Sequence, residues 1–284
     1  INPAPAYKIR IEEISMQFYN HTLPSGAALV GYLRDETTEM PAFNIRPAIL
    51  ILPGGGYAWC SSREADPVAM QFLQAGYNVF ILTYTCRKDD TQPPLRWQPL
   101  IDAAGAILHI RRNAAKFRVD PFKVAVCGFS AGGHLAASTA ILWDAEPVQK
   151  ALGIHAEEAR PDAVVLGYPV ITSGIMTHGG SIKNLCGDDA ELKATMSLEN
   201  QIRGDLPPFF IWHTVEDGSV PVQNSLLLAS ALTEHKVPFE LHLFNHDGHG
   251  TSTCTREVNT PNAHNRAWVD LCTDWLADLF NYHL

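Results

Sequence analysis

A stretch of eleven residues, 124–134 (VAVCGFSAGGH), constrains the fold of this chain more than any other. An apolar, β-branched run passes through Gly128-Phe129-Ser130-Ala131-Gly132 into small residues that are compatible with a helix. A G-x-S-x-G sequence between a strand and a helix is the nucleophile elbow. Its turn forces Ser130 into a cramped backbone conformation, and a side chain at either glycine would collide with the neighbouring helix or strand. The helix that follows points free N–H groups and its positive dipole end toward any oxyanion formed at Ser130.

The elbow strand belongs to a regular alternation of apolar strands and helical patterns. Continuous apolar runs, typical of strands that are buried on both faces, lie at 48–52, 77–83, 123–127, 163–168, 209–214 and 239–244. Helical patterns lie at 64–75, at 99–117, after Ser130, from Val222 to Leu232, and near the end of the chain. The strands predicted at 6–19 and 27–34 have no helix between them, so we expect them to pair antiparallel.

This order predicts a single α/β domain over residues 1–284, with a mostly parallel sheet, antiparallel N-terminal strands and helices on both faces. Residues 171–203 interrupt the alternation with polar, glycine-rich sequence. The segment is too short to be a domain, and we predict a short lid-like insertion over the active site.

Charge and cysteine usage limit the classes of partner. The formal net charge is −9 and the basic residues are scattered, which argues against nucleic-acid or anionic-membrane binding. No apolar run approaches the roughly 20 residues of a membrane span. The six cysteines form no C-x-x-C pair, which favours reduced thiols and a cytoplasmic protein. No metal-ligand pattern is present, and we expect no cofactor or metal. The sequence does not determine the oligomeric state, and a homo-oligomer is one of the possibilities.

A serine hydroxyl needs a base within hydrogen-bonding reach, and in this topology an acid and then a histidine follow the serine along the chain. The loop after the strand at 209–214 offers Glu216 and Asp217. We favour Asp217, which precedes Gly218 at the tip of the turn, although aspartate is also common as a turn or helix-capping residue. The loop after the strand at 239–244 offers His246 and His249. Glycines on both sides favour His249 as the base.

Residues 53–57 (PGGGY) directly follow the first buried strand. Three glycines leave the backbone free to turn two amides toward a negative oxygen, although a plain tight turn would also use them. Together with the amide of Ala131, the amides of Gly55 and Gly56 are our candidate oxyanion hole.

These motifs, in this order, resemble the α/β-hydrolase superfamily. Within it, they resemble the branch of esterases and acetyl esterases related to hormone-sensitive lipase and to bacterial xylan-ester esterases. The resemblance extends from about Ala48 to Phe280 and rests on PGGGY, Asp120-Pro121, GFSAGGH, HTVEDGSVP and DGHG. It implies the α/β-hydrolase fold and a catalytic triad at the positions of Ser130, Asp217 and His249. It also implies an oxyanion hole at Gly55, Gly56 and Ala131.

The sequence departs from the lipase-like pattern at two points. Pro53 stands where many members have histidine, so a hydrogen bond that organises the glycine loop should be missing. We also expect no large helical N-terminal cap. Both departures point to the branch that acts on small esters and carbohydrate esters.

The sequence therefore predicts a serine esterase acting on a small-molecule ester with a short acyl group, acetylated sugars or xylo-oligosaccharides included. A peptidase or a thioesterase of the same fold, or a ligand-binding receptor, are the alternatives. Tyr57 and Trp59 are candidate substrate-binding residues that, with Trp97, could stack on a sugar, or could equally belong to the core.

Overall fold

The computed structural model describes residues 16–155 and 157–284, whose strands form one eight-stranded sheet in the order β1-β2-β4-β3-β5-β6-β7-β8. The strands are β1 (Met16–Thr22), β2 (Ala28–Arg34), β3 (Arg46–Leu52), β4 (Asn78–Thr83), β5 (Val119–Phe129), β6 (Ala163–Gly167), β7 (Phe209–Thr214) and β8 (Phe239–Phe244). β2 pairs antiparallel with both β1 and β4, and all other neighbours are parallel. The predicted antiparallel start is confirmed. Residues 6–15 of the first predicted strand lie outside the described residues.

Helices cover both faces of the sheet. They are α1 (Asp66–Gln74), α2 (Gln98–Arg112), α3 (Ala114–Phe117), α4 (Ala131–Ile141), α5 (Glu146–Leu152), α6 (Gly179–Cys186), α7 (Ala190–Thr195), α8 (Gln223–Glu234) and α9 (Ala267–Phe280). Buried side chains of α2, α4 and α8 share one hydrophobic core, and those of α1 and α9 share the other.

The apolar character of the parallel strands follows from this layered arrangement. In β3, Leu50 and Leu52 enter the core beneath α2 and α4, whereas Ile49 and Ile51 enter the core beneath α1 and α9. Successive side chains of a strand point to opposite faces, so a sheet covered on both faces needs apolar residues at every position.

The segment 171–203 leaves the sheet between β6 and β7 and contains α6 and α7. It packs onto the elbow region through specific contacts. The Met196 carbonyl lies 2.9 Å from Nε2 of His134 in α4, and Asn184 Nδ2 donates to the carbonyl of Gly56 at 2.9 Å. The insertion therefore forms a wall beside the carboxyl ends of the strands.

Candidate active site

Ser130 lies between β5 and α4 in a backbone conformation that side chains rarely adopt, with φ 54° and ψ −121°. The flanking glycines are required by close approach. A Cβ at Gly128 would lie 2.1 Å from the carbonyl oxygen of Gly132, and one at Gly132 would lie 2.1 Å from the carbonyl oxygen of Leu52. The predicted elbow geometry is confirmed, and it presents the Ser130 hydroxyl at the carboxyl edge of the sheet.

The structure brings Ser130, His249 and Asp217 together from three loops at this edge. His249 Nε2 lies 2.8 Å from Ser130 Oγ, and His249 Nδ1 lies 2.6 Å from Asp217 Oδ2. A carboxylate can only accept hydrogen bonds, so Nδ1 carries the proton of the neutral ring. The lone pair of Nε2 then faces the serine hydroxyl and can accept its proton.

Asp217 is held by donors on all sides. The amides of Ser219 and Val220 donate to its Oδ1, both at 2.9 Å, and His213 Nε2 lies 3.4 Å from its Oδ2. Burial opposes ionisation of this carboxyl group, but hydrogen bonds from His213 and His249 outweigh burial and hold its pKa well below the usual range. Asp217 is therefore ionised wherever the fold is intact near neutral pH.

The two residues that the sequence ranked second form a separate pair. His246 Nδ1 lies 3.2 Å from Glu216 Oε1, and both side chains are exposed. Among the described residues, the side-chain hydrogen-bond partner of the Ser130 hydroxyl is His249 rather than either of these two. The preference for Asp217 and His249 agrees with the geometry, because His249 contacts Ser130 and Asp217 contacts His249.

The glycine loop after β3 adopts the backbone that the sequence led us to expect. Gly55 and Gly56 have φ values of 126° and 64°, a region that favours glycine. A Cβ at Gly55 would lie 2.2 Å from the carbonyl oxygen of Trp59. Ala131 is the first residue of α4, so its amide has no partner within the helix. The roles of these three amides in holding an oxyanion stay a prediction.

The loop is organised despite Pro53, through side chains that sequence reasoning missed. Tyr84 donates to the Pro53 carbonyl at 2.6 Å. The amide of Gly54 donates to Glu64 Oε2 at 2.7 Å, and Asn184 donates to the Gly56 carbonyl as described above. Three hydrogen bonds therefore hold the loop in a chain that has Pro53 in place of the expected histidine.

The prediction for Tyr57 needs correction. Its ring is 1% exposed, and its hydroxyl lies 2.8 Å from Nδ1 of His134 beneath the loop. Tyr57 is therefore a core residue and cannot stack on a substrate. Trp59 is 63% exposed and lines the cavity beside Ser130, as a binding residue would. Trp97 packs against the core away from this cavity.

A cavity of about 300 Å³ opens in front of Ser130 and His249. Its walls come from the glycine loop, from the residues before α1 and from the insertion, which contributes His178, Gly180 and Asn184. The Ser181 amide donates to His178 Nδ1 at 3.3 Å, which leaves Nε2 as the protonated nitrogen of the neutral ring. Burial, together with nearby His249, lowers the pKa of His178. The sequence offered no signal for His178, since its place depends on how the insertion folds back.

Three further findings concern metal binding, thiols and membrane spans. No group of three or more His, Cys, Asp or Glu side chains within residues 16–155 and 157–284 is arranged to hold a metal ion. All six cysteines are free thiols, and Cys60 and Cys86 have their sulfur atoms 3.9 Å apart. Within the same ranges, no helix has the length and apolar character needed to cross a membrane.

Known proteins with similar sequences are long polysaccharide-degrading or ester-cleaving enzymes by name. The chain is 43% identical over 81% of its length to endo-1,4-beta-xylanase B of Butyrivibrio fibrisolvens. It is 29% identical over 72% of its length to an acetylxylan esterase of Xylanibacter ruminicola. The matched regions span only 35% and 40% of those two proteins, which are much longer than this chain.

Solved structures extend the likeness over nearly the whole chain. The acetyl ester-xyloside bifunctional hydrolase from Caldicellulosiruptor lactoaceticus is similar with a TM-score of 0.75 and 35% identity, covering 92% of this chain and 90% of that one. The model of the BD-FAE family matches residues 38–232, more than half of the sequence. The resemblance predicted from the motifs is confirmed: the chain belongs to the BD-FAE family and is an esterase-like α/β-hydrolase.

Proposed function

We propose that this chain is a serine carboxylesterase that removes acetyl or similarly short acyl groups from acetylated sugars such as xylo-oligosaccharides. The observation that carries the proposal is the line of contacts from buried Asp217 through His249 to the elbow serine, 2.6 Å and 2.8 Å long, at the floor of an open cavity.

The proposed reaction is an acyl transfer in two steps. His249 takes the proton of Ser130 as the serine oxygen attacks the ester carbonyl, and the ionised Asp217 stabilises the imidazolium that forms. The amides of Gly55, Gly56 and Ala131 hold the oxyanion. His249 then protonates the departing alcohol, and a water molecule releases the acid by the same route.

The cavity wall supports a hydroxyl-rich alcohol rather than a long apolar one. Asn184, His178, Ser61 and Ser219 offer hydrogen-bonding groups along the wall, and exposed Trp59 offers an aromatic face of the kind that packs against sugar rings. The names of the relatives, an acetylxylan esterase and an acetyl ester-xyloside hydrolase, point to the same substrate class. We further propose a cytoplasmic location, which suits six free thiols.

The test compares p-nitrophenyl esters of increasing acyl length with acetylated xylo-oligosaccharides, and uses acetate release as the readout. We expect acetyl esters to be turned over fastest and Ser130→Ala to abolish turnover and labelling by a fluorophosphonate probe while the fold is retained. Turnover by Ser130→Ala would exclude the proposed mechanism. Preferential cleavage of peptides or of acyl thioesters would replace the proposed substrate class.

The proposed sugar contact has its own matched pair of variants. Trp59→Ala should raise KM for the oligosaccharide more than for p-nitrophenyl acetate, because only the oligosaccharide is long enough to use the aromatic face. Trp97→Ala removes a tryptophan that lies away from the cavity and serves as the control. An equal KM change for both substrates in Trp59→Ala would argue against sugar stacking.

A further inference from the structure

We propose that Glu64, a buried carboxylate beneath the active site, is a positioning residue that ties the glycine loop to the ring of His249 and places a second carboxylate near that ring. The inference rests on the proposed esterase function and assigns a role to a group that the reaction scheme above does not use.

The contacts of Glu64 reach both halves of the site. Glu64 is only 3% exposed, and its Oε2 accepts a hydrogen bond from the Gly54 amide at 2.7 Å. Its Oε1 accepts the Tyr168 hydroxyl, also at 2.7 Å. Tyr168 follows β6, and its ring lies edge to face against His249, with 5.0 Å between the ring centroids. One carboxylate thus sets the spacing between the loop and the imidazole.

The glycine loop, Glu64 and Ser130 are packed too closely for one of them to move independently of the others. A Cβ at Gly54 would lie 2.7 Å from Glu64 Oε2 and 2.9 Å from the Cβ of Ser130, so the loop, the carboxylate and the serine are in close contact. The Tyr168 hydroxyl also accepts the Ser252 amide at 2.9 Å, which ties the segment after His249 to the same group. A shift of the carboxylate would therefore move the predicted oxyanion donors and the histidine segment relative to each other.

The charge of Glu64 acts in the same place. Burial raises its pKa, and the Tyr168 hydroxyl, the Gly54 amide, His249 and Arg63 act in the opposite direction by favouring the ionised form. His249 also faces Asp217 and, across the cavity, His178. Among the described residues, Cys60, Tyr84 and Cys127 also interact electrostatically with Glu64. In its ionised form Glu64 is a second negative charge beneath the imidazole, besides Asp217.

The experiment measures kcat, KM and the pH profile of kcat/KM for Glu64→Gln with p-nitrophenyl acetate. We expect kcat to fall about 10- to 100-fold with KM nearly unchanged, because small misplacements of catalytic groups have effects of this size. Loss of the negative charge should also move the acid limb of the profile to lower pH by roughly half to one unit. A purely structural role would lower activity without moving this limb.

Three further variants separate charge from geometry. Tyr168→Phe keeps the carboxylate but removes a donor that favours its ionised form. Glu64 then carries less negative charge, so the acid limb should move to lower pH, but by less than in Glu64→Gln. Glu64→Asp keeps the charge with a shorter reach, so kcat should fall without a shift to lower pH, and it also serves if Glu64→Gln does not fold. Asp102→Asn removes another buried carboxylate, one that binds the Thr85 amide at 2.8 Å, and should leave the limb in place.

The proposal is overturned if Glu64→Gln, with a native circular dichroism spectrum, keeps its kcat within twofold of wild type or keeps the acid limb of wild type. It is also overturned if Asp102→Asn shifts the limb as far as Glu64→Gln does. Failure of the esterase proposal would look different, because the wild-type protein itself would then release no acetate or Ser130→Ala would remain active.

Discussion

Two carboxylate–histidine pairs come from the same two loops, and they differ in almost every physical respect. Asp217 and His249 meet at 2.6 Å, with the Asp217 side chain fully buried. Glu216 and His246 meet at 3.2 Å, with side chains that are 57% and 72% exposed. The first pair is held by backbone amides and touches Ser130, whereas the second is surrounded by solvent. The two pairs have the same chemical groups, but their surroundings give them interactions of different strength, because solvent screens the exposed pair.

Replacing each histidine by alanine should give the largest difference in activity between the two pairs. His249→Ala removes the base that contacts Ser130, and we expect kcat for p-nitrophenyl acetate to fall by roughly 10⁵- to 10⁶-fold, as when other triads lose their histidine. His246→Ala should retain wild-type activity. If His246→Ala were the inactive variant, the assignment of the base would be wrong.

Replacing each carboxylate by its amide should give a smaller difference in activity between the two pairs. Asp217→Asn keeps the shape of the side chain but no longer fixes the proton on His249 Nδ1, so we expect kcat to fall roughly 10⁴-fold. Glu216→Gln should leave steady-state kinetics unchanged. Loss of activity in Glu216→Gln together with an active Asp217→Asn would reverse the roles of the two carboxylates.

The smallest expected effect is on acid stability. The pKa of Asp217 is lowered in the folded state, so its contribution to stability is present above the pKa of the unfolded chain, about 3.9, and is lost as the pH falls through the folded-state pKa. Urea unfolding at a series of acidic pH values should therefore show a shallower loss of unfolding free energy in Asp217→Asn than in wild type. Glu216→Gln should follow wild type. Parallel curves for all three proteins would mean that Asp217 is not held in its ionised form by the fold.

Much of the architecture could be predicted because the relevant signals are local. The strands predicted at 209–214 and 239–244 coincide with β7 and β8, because both runs are rich in aromatic and aliphatic residues. β7 is buried throughout, whereas β8 lies at the edge of the sheet and also carries Glu240 and His242. The elbow could be predicted because the two glycines that it requires lie within one five-residue motif. The acid and base candidates could be predicted because ligand-binding loops follow the carboxyl ends of parallel strands.

Other features escaped prediction because they depend on approach between distant parts of the chain. From the sequence, Tyr57 could equally be a stacking platform or a core residue, and its packing against Tyr84 and His134 buries it. Pro53 suggested a poorly organised loop, yet Tyr84, Glu64 and Asn184 reach that loop from three separate segments. Nothing in the residues around Glu64 indicates a partner that lies 104 positions away in Tyr168.

The sequence by itself determined the layered α/β architecture, the nucleophile elbow and the short set of acids and bases from which a triad could be drawn. These follow from periodicity and from the steric needs of glycine, which act over a few residues. Only the tertiary structure decided which acid and which histidine face Ser130, what the cavity wall is made of, and that a buried carboxylate joins the two halves of the site. Those outcomes depend on burial and on distances of a few ångströms between segments far apart in the chain, and a linear pattern carries no measure of either.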